Sequence, residues 1–228
     1  MQQNILKHPL KEHGSKHLVN NVRDFGLVVI GAHTGQYLKE IISKNTGKNI
    51  LLIEPVPYNY EVLETEYANK GNFFLCKNAI FDNSSKQNFF YVKKKSIKKL
   101  GKHWATGIGS FDKNHILSHK GKRFNINDED IQKIQIDFIT FKDLTDKYLI
   151  RSIDRLQLDV EGAEYKILNS IDFHKVKINE IFFESKHFDG TFLEGEKLTQ
   201  TKKMLENNGY ILEKIDSENI LAKKIISD

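Results

Sequence analysis

Gly31, Gly35 and Glu54 form the most informative chemical pattern in the chain. An apolar run, Leu27-Val28-Val29-Ile30, breaks into Gly31-Ala32-His33-Thr34-Gly35. A second apolar run, Ile50-Leu51-Leu52-Ile53, ends at Glu54, 23 positions after Gly31 (54 − 31). Glycines let backbone approach a ligand closely, and a carboxylate at a strand end accepts hydrogen bonds from ribose hydroxyls. Polar groups also close three later apolar runs: Asn78 with Ala79, Asp159 with Glu161, and Glu184 with His187. Asp159, Glu161, Glu184 and His187 are of types that serve as general bases, and an imidazole titrates near neutrality.

The elements that must position these groups follow from periodicity. The glycine turn lies between a strand and a helix, expected over about residues 36–43, and Glu54 closes the next strand. This is the order of a nucleotide-binding βαβ unit. Pro57 suits the first turn of a second helix, which Gly71 ends. Further strands are expected at 73–77 and 89–92. Ile134, Ile136 and Phe138 alternate as in a half-buried strand, and Thr140 with Asp143 resembles a capping box. Leu156, Leu158 and Val160 mark the next strand, with a helix and a buried strand at 181–183 after it. A helix at about 196–208 precedes a hairpin at 210–225. Strands separated by helices imply an α/β fold with a mainly parallel sheet and a C-terminal antiparallel hairpin. In such sheets ligands bind outside the carboxyl ends of the strands. The groups after Ile30, Glu54, Asn78 and Asp159 would then converge on one crevice.

Simpler roles compete at each position. Gly31 and Gly35 serve a tight turn equally well. Glu54 suits a cap for the next helix, Asn78 the start of a turn, and Asp159 and Glu161 the N-terminus of the helix after their strand. The pairs His115-x-x-x-His119 and His13-x-x-x-His17 place two imidazoles one helical turn apart, but no glutamate follows the first histidine as in a zincin. Both pairs are read as structural, and no metal is expected. Asp159, Glu161 and Glu184 have the chemistry to hold a divalent cation, but their spacing alone does not bring them together.

Composition sets the outer limits. The 228 residues are 39% hydrophobic and 29% charged, with a net charge of +5. That suits a globular protein organised as residues 1–24, a lead-in with a short helix near 17–23, and residues 25–228, a single domain. No apolar run approaches the ~20 residues that span a bilayer. The N-terminus has no apolar signal region, so a cytoplasmic location is expected. Cys76 sits within Phe73-Phe74-Leu75-Cys76 and reads as buried filler. Residues 93–130 hold a lysine cluster, several glycines and the acidic run Asp128-Glu129-Asp130. They read as an elaborated loop inserted in the domain, with the lysines on a solvated face.

Four segments resemble FkbM-type methyltransferases. These are Ile30-Gly31-Ala32-His33-Thr34-Gly35, Leu52-Ile53-Glu54-Pro55-Val56-Pro57-Tyr58-Asn59, Asn78-Ala79-Ile80 and Leu158-Asp159-Val160-Glu161-Gly162-Ala163-Glu164. Many members carry an acid where this chain has Val29, and Asn where it has His33. The resemblance implies a seven-stranded Rossmann-like methyltransferase sheet and S-adenosylmethionine as cofactor. It implies that the turn Gly31, Ala32, His33 and Gly35 passes the methionine moiety, that Glu54 holds the ribose, and that Asn78 and Ala79 meet the adenine edge. Asp159 would lie near the transferred methyl group. The implied acceptor is a hydroxyl on a sugar, glycan or other small molecule.

Two other readings share parts of this pattern. A nicotinamide-dependent oxidoreductase would use the same βαβ unit, but Gly31-x-x-x-Gly35 is not Gly-x-Gly-x-x-Gly, and the chain ends in a hairpin. A nucleic-acid methyltransferase or binding module would use the lysines. However, few aromatic residues interleave them, and Asp159-Val160-Glu161-Gly162 is not the motif of exocyclic-amine methylation.

Overall fold

The computed structural model describes residues 22–101, 103–189 and 193–225. The His13–His17 pair and most of the expected lead-in helix lie outside them; of that helix only Val22 and Arg23 are described, and Arg23 opens the first strand. Strand β1 (Arg23–Ile30) leads through the glycine turn to α1 (Lys39–Lys44), β2 (Asn49–Ile53), α2 (Pro57–Tyr67) and β3 (Phe73–Cys76). β1 is buried on both faces, as a central parallel strand should be. Leu27 and Val29 pack with Leu38, Leu63 and Tyr67 on one face, while Val28 and Ile30 join the larger core on the other.

Strands β4 (Ala79–Phe81) and β5 (Ser85–Val92) precede α3 (Lys94–Leu100), β6 (Gly109–Ser110) and α4 (Lys113–Leu117). β7 (Ile131–Thr140) then runs into α5 (Phe141–Tyr148). The capping box at that junction forms as its sequence suggests. The Asp143 N–H donates to Thr140 Oγ1 at 3.0 Å, and the Thr140 N–H donates to Asp143 Oδ2 at 3.0 Å. The chain finishes with β8 (Ile150–Leu158), α6 (Glu164–Asn169), β9 (Lys177–Glu184), α7 (Glu196–Asn207), β10 (Tyr210–Lys214) and β11 (Asn219–Lys224).

Seven of these strands form one sheet in the order β10-β11-β9-β8-β1-β2-β3. It is mixed rather than mainly parallel. β11 pairs antiparallel with both β10 and β9, so the hairpin sets the direction of one whole edge. A second sheet, β4-β7-β5-β6, stands apart from it. The alternation in β7 marked a strand, but alternation does not say which sheet a strand joins.

Residues 93–130 differ from the expected irregular loop. Two short helices and a strand lie here, and Ala105, Ile108, Ile116, Phe124 and Ile126 bury together against Val92 and Ile131. These apolar residues sit on elements too short to show a period, so their common core is invisible in the sequence. The acidic run pairs with the lysines. Lys99 lies 3.0 Å from Glu129 and 3.1 Å from Asp130, Lys113 pairs with Asp128, and Lys93 donates to the Glu129 carbonyl at 2.7 Å. The cluster is therefore partly neutralised from within. Among the described residues no helix is long and apolar enough to cross a membrane.

Candidate active site

The site begins with register. Ile30 pairs with Ile53 on one side and Leu158 on the other. Ile53 pairs with Cys76, and Leu158 with Phe183. Five strands thus reach their carboxyl ends at one level. The next residues, Gly31, Glu54 and Asp159, leave the sheet side by side, Glu184 closes β9 still paired with Asn219, and Asn78 follows one residue beyond Lys77.

Gly31, His33, Glu54, Asn78, Ala79 and Asp159 line a cavity of about 220 Å³ at this edge. Apolar side chains, including Ile53, Val56 and Phe81, form much of its wall, and Gly107 and Gly109 of the insertion close it. Ala32 and Gly35 do not line it. Ala32 is buried in the core, and a Cβ on Gly35 would meet Leu63 and Tyr67 at 3.1 Å. A Cβ on Gly31 would fall 1.8 Å from the Asp159 carbonyl oxygen. Both glycines also have positive φ, so the turn itself requires them.

Glu54 is buried and held at both oxygens. The His33 N–H donates to Oε2 at 2.8 Å and the Val56 N–H to Oε1 at 2.8 Å. The carboxylate therefore fastens both the glycine turn and the start of α2. Burial lifts its pKa to about 7 against the pull of these two donors. His33 itself has φ 51° and shares a 2.5 Å hydrogen bond with Thr106 Oγ1 of the insertion. The Asn78 side chain is partly engaged, donating to the Asp137 carbonyl at 3.1 Å and accepting from Lys147 at 3.1 Å.

The four candidate bases meet beyond β8 and β9. His187 Nε2 lies 3.4 Å from Glu161 Oε2 and 4.0 Å from Glu184 Oε2. Asp159, Glu164 and Glu184 each bring a carboxylate oxygen within 4.8 Å of the others. The cleft leaves Asp159 exposed, but its walls displace bulk water, and with the Glu161 charge this lifts the carboxyl to about 6. Burial, then Asp159, lifts Glu184 to about 7, although Lys186 pairs with its Oε1. Burial would also raise Glu161, but His187, Lys186 and His115 hold it below the usual carboxylate range.

The loop between β8 and α6 is not capped by Asp159 or Glu161. Glu164 does that work, accepting from the Val160 N–H at 2.8 Å and the Gly162 N–H at 2.9 Å. Glu161 is left at φ 56°, a strained value for a residue with a Cβ. Sequence reading missed Glu164 as an anchor and Lys186 as the partner of Glu184. Glu164 stood in the Asp-Val-Glu-Gly-Ala-Glu segment as a signal, whereas nothing marked Lys186.

Residues 30–212 match the model of the methyltransferase FkbM domain. The chain belongs to this family. The FkbM match spans the glycine turn, Glu54, the insertion and all four candidate bases. No curated protein matches the chain. Among solved structures, it is similar to an FkbM methyltransferase from Methylobacillus flagellatus KT, at 15% identity and a TM-score of 0.49. That likeness covers 90% of this chain and 45% of the other, so the chain spans less than half of that protein. It is also similar to a precorrin-6y C5,15-methyltransferase from Geobacter metallireducens GS-15, at 13% identity, covering 90% and 82%, with a TM-score of 0.42. An Aeropyrum pernix fibrillarin with natively bound S-adenosyl-L-methionine matches at 12% identity, covering 93% and 70%, with a TM-score of 0.43.

The buried carboxyls of this FkbM-domain chain make its stability depend on pH. Glu164 is raised by burial to about 8, and Glu54 to about 7. Each folded-state value lies above the unfolded one, so the folded protein holds protons that the unfolded chain releases. Stability must then fall as pH rises, by about 1.4 kcal/mol per pH unit for each proton retained. Burial also lowers His115, and lowers His119 to about 4, which acts in the opposite direction, but only below their unfolded pKa near 6.5. Thermal melts with chelator present should therefore show a falling midpoint from about pH 6.5 to 8. Glu164→Gln should flatten the slope, and a midpoint that rises across this window would contradict the argument.

Proposed function

We propose that the protein binds S-adenosylmethionine in the cleft after β1, β2 and β8 and methylates a hydroxyl of a sugar or other small acceptor. The observation that carries this reading is the level row of Gly31, Glu54 and Asp159 around one cavity, set by register. The residues fit the cofactor's chemistry. Each Glu54 oxygen accepts one backbone N–H and keeps lone pairs for vicinal ribose hydroxyls. Ile53, Val56 and Phe81 offer apolar surface to a purine beside Asn78 and Ala79.

When bound, S-adenosylmethionine supplies a methyl group on a positively charged sulfur. The chain's part is to align the acceptor oxygen with that methyl carbon and to remove the hydroxyl proton. As the oxygen–carbon bond forms, the carbon–sulfur pair leaves with sulfur, and the proton passes to a carboxylate or imidazole. Asp159 stands nearest the cofactor row, and a carboxyl with a pKa near 6 is mostly ionised at neutral pH and able to accept. Glu184, Glu161 and His187 are the alternatives. A second cavity, about 390 Å³ and lined by Ser118, Lys122 and Arg123 among others, shares Ser110, Phe111 and Glu161 with the first. Its polar side chains offer hydrogen-bond partners to a hydroxylated acceptor.

Titration calorimetry with S-adenosylmethionine and its demethylated product tests the reading. Glu54→Ala should bind roughly 10–150-fold more weakly, the equivalent of about 1.5–3 kcal/mol for a lost hydrogen bond to a charged group. A folded Glu54→Ala protein with unchanged affinity would remove Glu54 from the site. An absence of binding by the native protein would remove the cofactor assignment altogether.

A further inference from the structure

Helix α4 places His115 in the second cavity, with its five residues started by Asp112, whose carboxylate accepts the Asn114 N–H at 2.8 Å. His119 follows one turn later. Its ring stacks on Phe124 at 5.6 Å, which fixes the imidazole plane. From the opposite side, the strained loop after β8 delivers Glu161, and the segment after β9 delivers His187. Five buried atoms here have no hydrogen-bond partner: Nε2 of His115, His119 and His187, and Oε2 of Glu161 and Glu184. The separation of 3.4 Å between His187 and Glu161 is within hydrogen-bond reach, but its alignment completes none.

Three of these residues converge: Glu161, Glu184 and His187 each bring a ligand atom within 4.8 Å of the others. Glu161 Oε2 is 3.4 Å from His187 Nε2 and 4.0 Å from His115 Nε2. Ligands on one tetrahedral zinc ion, at about 2.0–2.1 Å from the metal, are about 3.4 Å apart. Two imidazoles sharing such an ion have ring centres roughly 5–5.5 Å apart. The His115 ring is 5.5 Å from His187 and 5.6 Å from His119. The side chains of His187 and Glu184 are each 7% exposed, and His119 is equally buried, so bulk water does not serve these atoms. Leaving several such groups unpaired is costly, and one cation would satisfy them together.

We propose that Glu161, Glu184 and His187 bind one divalent transition-metal ion of the zinc class, with His115 beside Glu161 as the next ligand. Two carboxylates with one imidazole, and a second imidazole beside them, form a donor set that suits zinc and its first-row neighbours. Lys186 neutralises the other oxygen of Glu184 and also contacts Glu218, leaving Oε2 toward His187. Lys122 and Arg123 line the same cavity, so the ion is held by its ligands and not by the surrounding field. The ion would sit beside the methyl-transfer cleft, where it could take the acceptor hydroxyl as a further ligand and make its proton easier to lose. That last role rests on the methyltransferase reading, whereas the metal site itself does not.

The test uses the full chain stripped with chelator, then titrated with Zn²⁺ against a chromophoric competitor and with Co²⁺ for its visible spectrum. One Zn²⁺ per chain is expected, with the intense absorption of four-coordinate Co²⁺. Glu161→Gln, Glu184→Gln and His187→Ala should each weaken Zn²⁺ binding by roughly 100-fold or more. Circular dichroism checks each fold, and Glu161→Gln, nearly isosteric, keeps the test intact if His187→Ala does not fold. His174→Ala and the double variant His13→Ala/His17→Ala should bind as the native protein does. Substoichiometric binding, native affinity in Glu161→Gln and Glu184→Gln, or loss of the ion only in the His13/His17 variant would overturn the site. Cofactor calorimetry on the metal-free protein is read separately, so either assignment can fail alone.

Discussion

Asp159→Asn should reduce methyl-transfer turnover by roughly 100-fold or more while leaving the melting temperature nearly unchanged. The side chain keeps its shape but loses its charge and its ability to take a proton. Removing a positioned base or a needed charge costs this much or more when it acts in the transition state. The fold should not suffer, because Asp159 holds no part of its loop through its side chain. Glu164 secures the Val160 and Gly162 N–H groups instead. Steady-state kinetics with an acceptor in hand, with thermal melts as control, decide the matter. Near-native turnover would move the search to Glu184, Glu161 and His187. A large loss of stability would mean that the charge serves the fold.

Gly31→Ala should be among the most damaging single substitutions in the chain. The added Cβ would lie 1.8 Å from the Asp159 carbonyl oxygen and 2.8 Å from its carbon, atoms of a backbone fixed by the pairing of Ile30 with Leu158. A positive φ of 89° adds strain for any side chain. A clash with backbone cannot be relieved by a rotamer change, so β1 and β8 must separate. We expect a loss of about 3 kcal/mol or more, near 6–12 °C in melting midpoint for a protein of this size. Gly121→Ala is the matched comparison. It also has positive φ, at 71°, but its Cβ would meet nothing within 4 Å. It should cost only about 1–2 kcal/mol from strain. Equal losses at the two positions would show that strain, not the close approach of the strands, makes Gly31 a glycine.

Much of the cleft at the strands' carboxyl ends was legible because its information is local. Each strand advertises itself by an unbroken apolar run, and the residue ending that run is the one the sheet delivers to its edge. Gly31, Glu54 and Asp159 follow from that rule, and the capping box at Thr140 follows from three-residue spacing. What escaped depends on contacts between distant segments. The core of the insertion is assembled from single apolar residues on short elements, none with a period of its own. The antiparallel β11–β9 pairing sets one strand of the main sheet against its neighbours, and no pattern within either strand announces a partner's direction. His115 looked like half of an isolated helical pair, because the residues facing it, Glu161 and His187, come from the far side of the cavity. Glu164 looked like an ordinary acid in a helix's first turn, yet it is buried and fastens the loop before that helix.

Thr106 gives the two halves of the cleft a common point of attachment. Its hydroxyl is bonded to His33 in the glycine turn, and its carbonyl accepts from Asn59 of α2 at 2.8 Å. Tyr58, next to Asn59, donates to the Val92 carbonyl at 2.9 Å, where the insertion begins. A ligand pressing on the insertion therefore works against the same bonds that hold the turn beneath the proposed cofactor site. Any influence the acceptor exerts on cofactor affinity through this joint must be returned in equal measure by the cofactor on the acceptor. Order of binding would then be a matter of rates alone, with the free energy of the ternary complex indifferent to which partner arrived first.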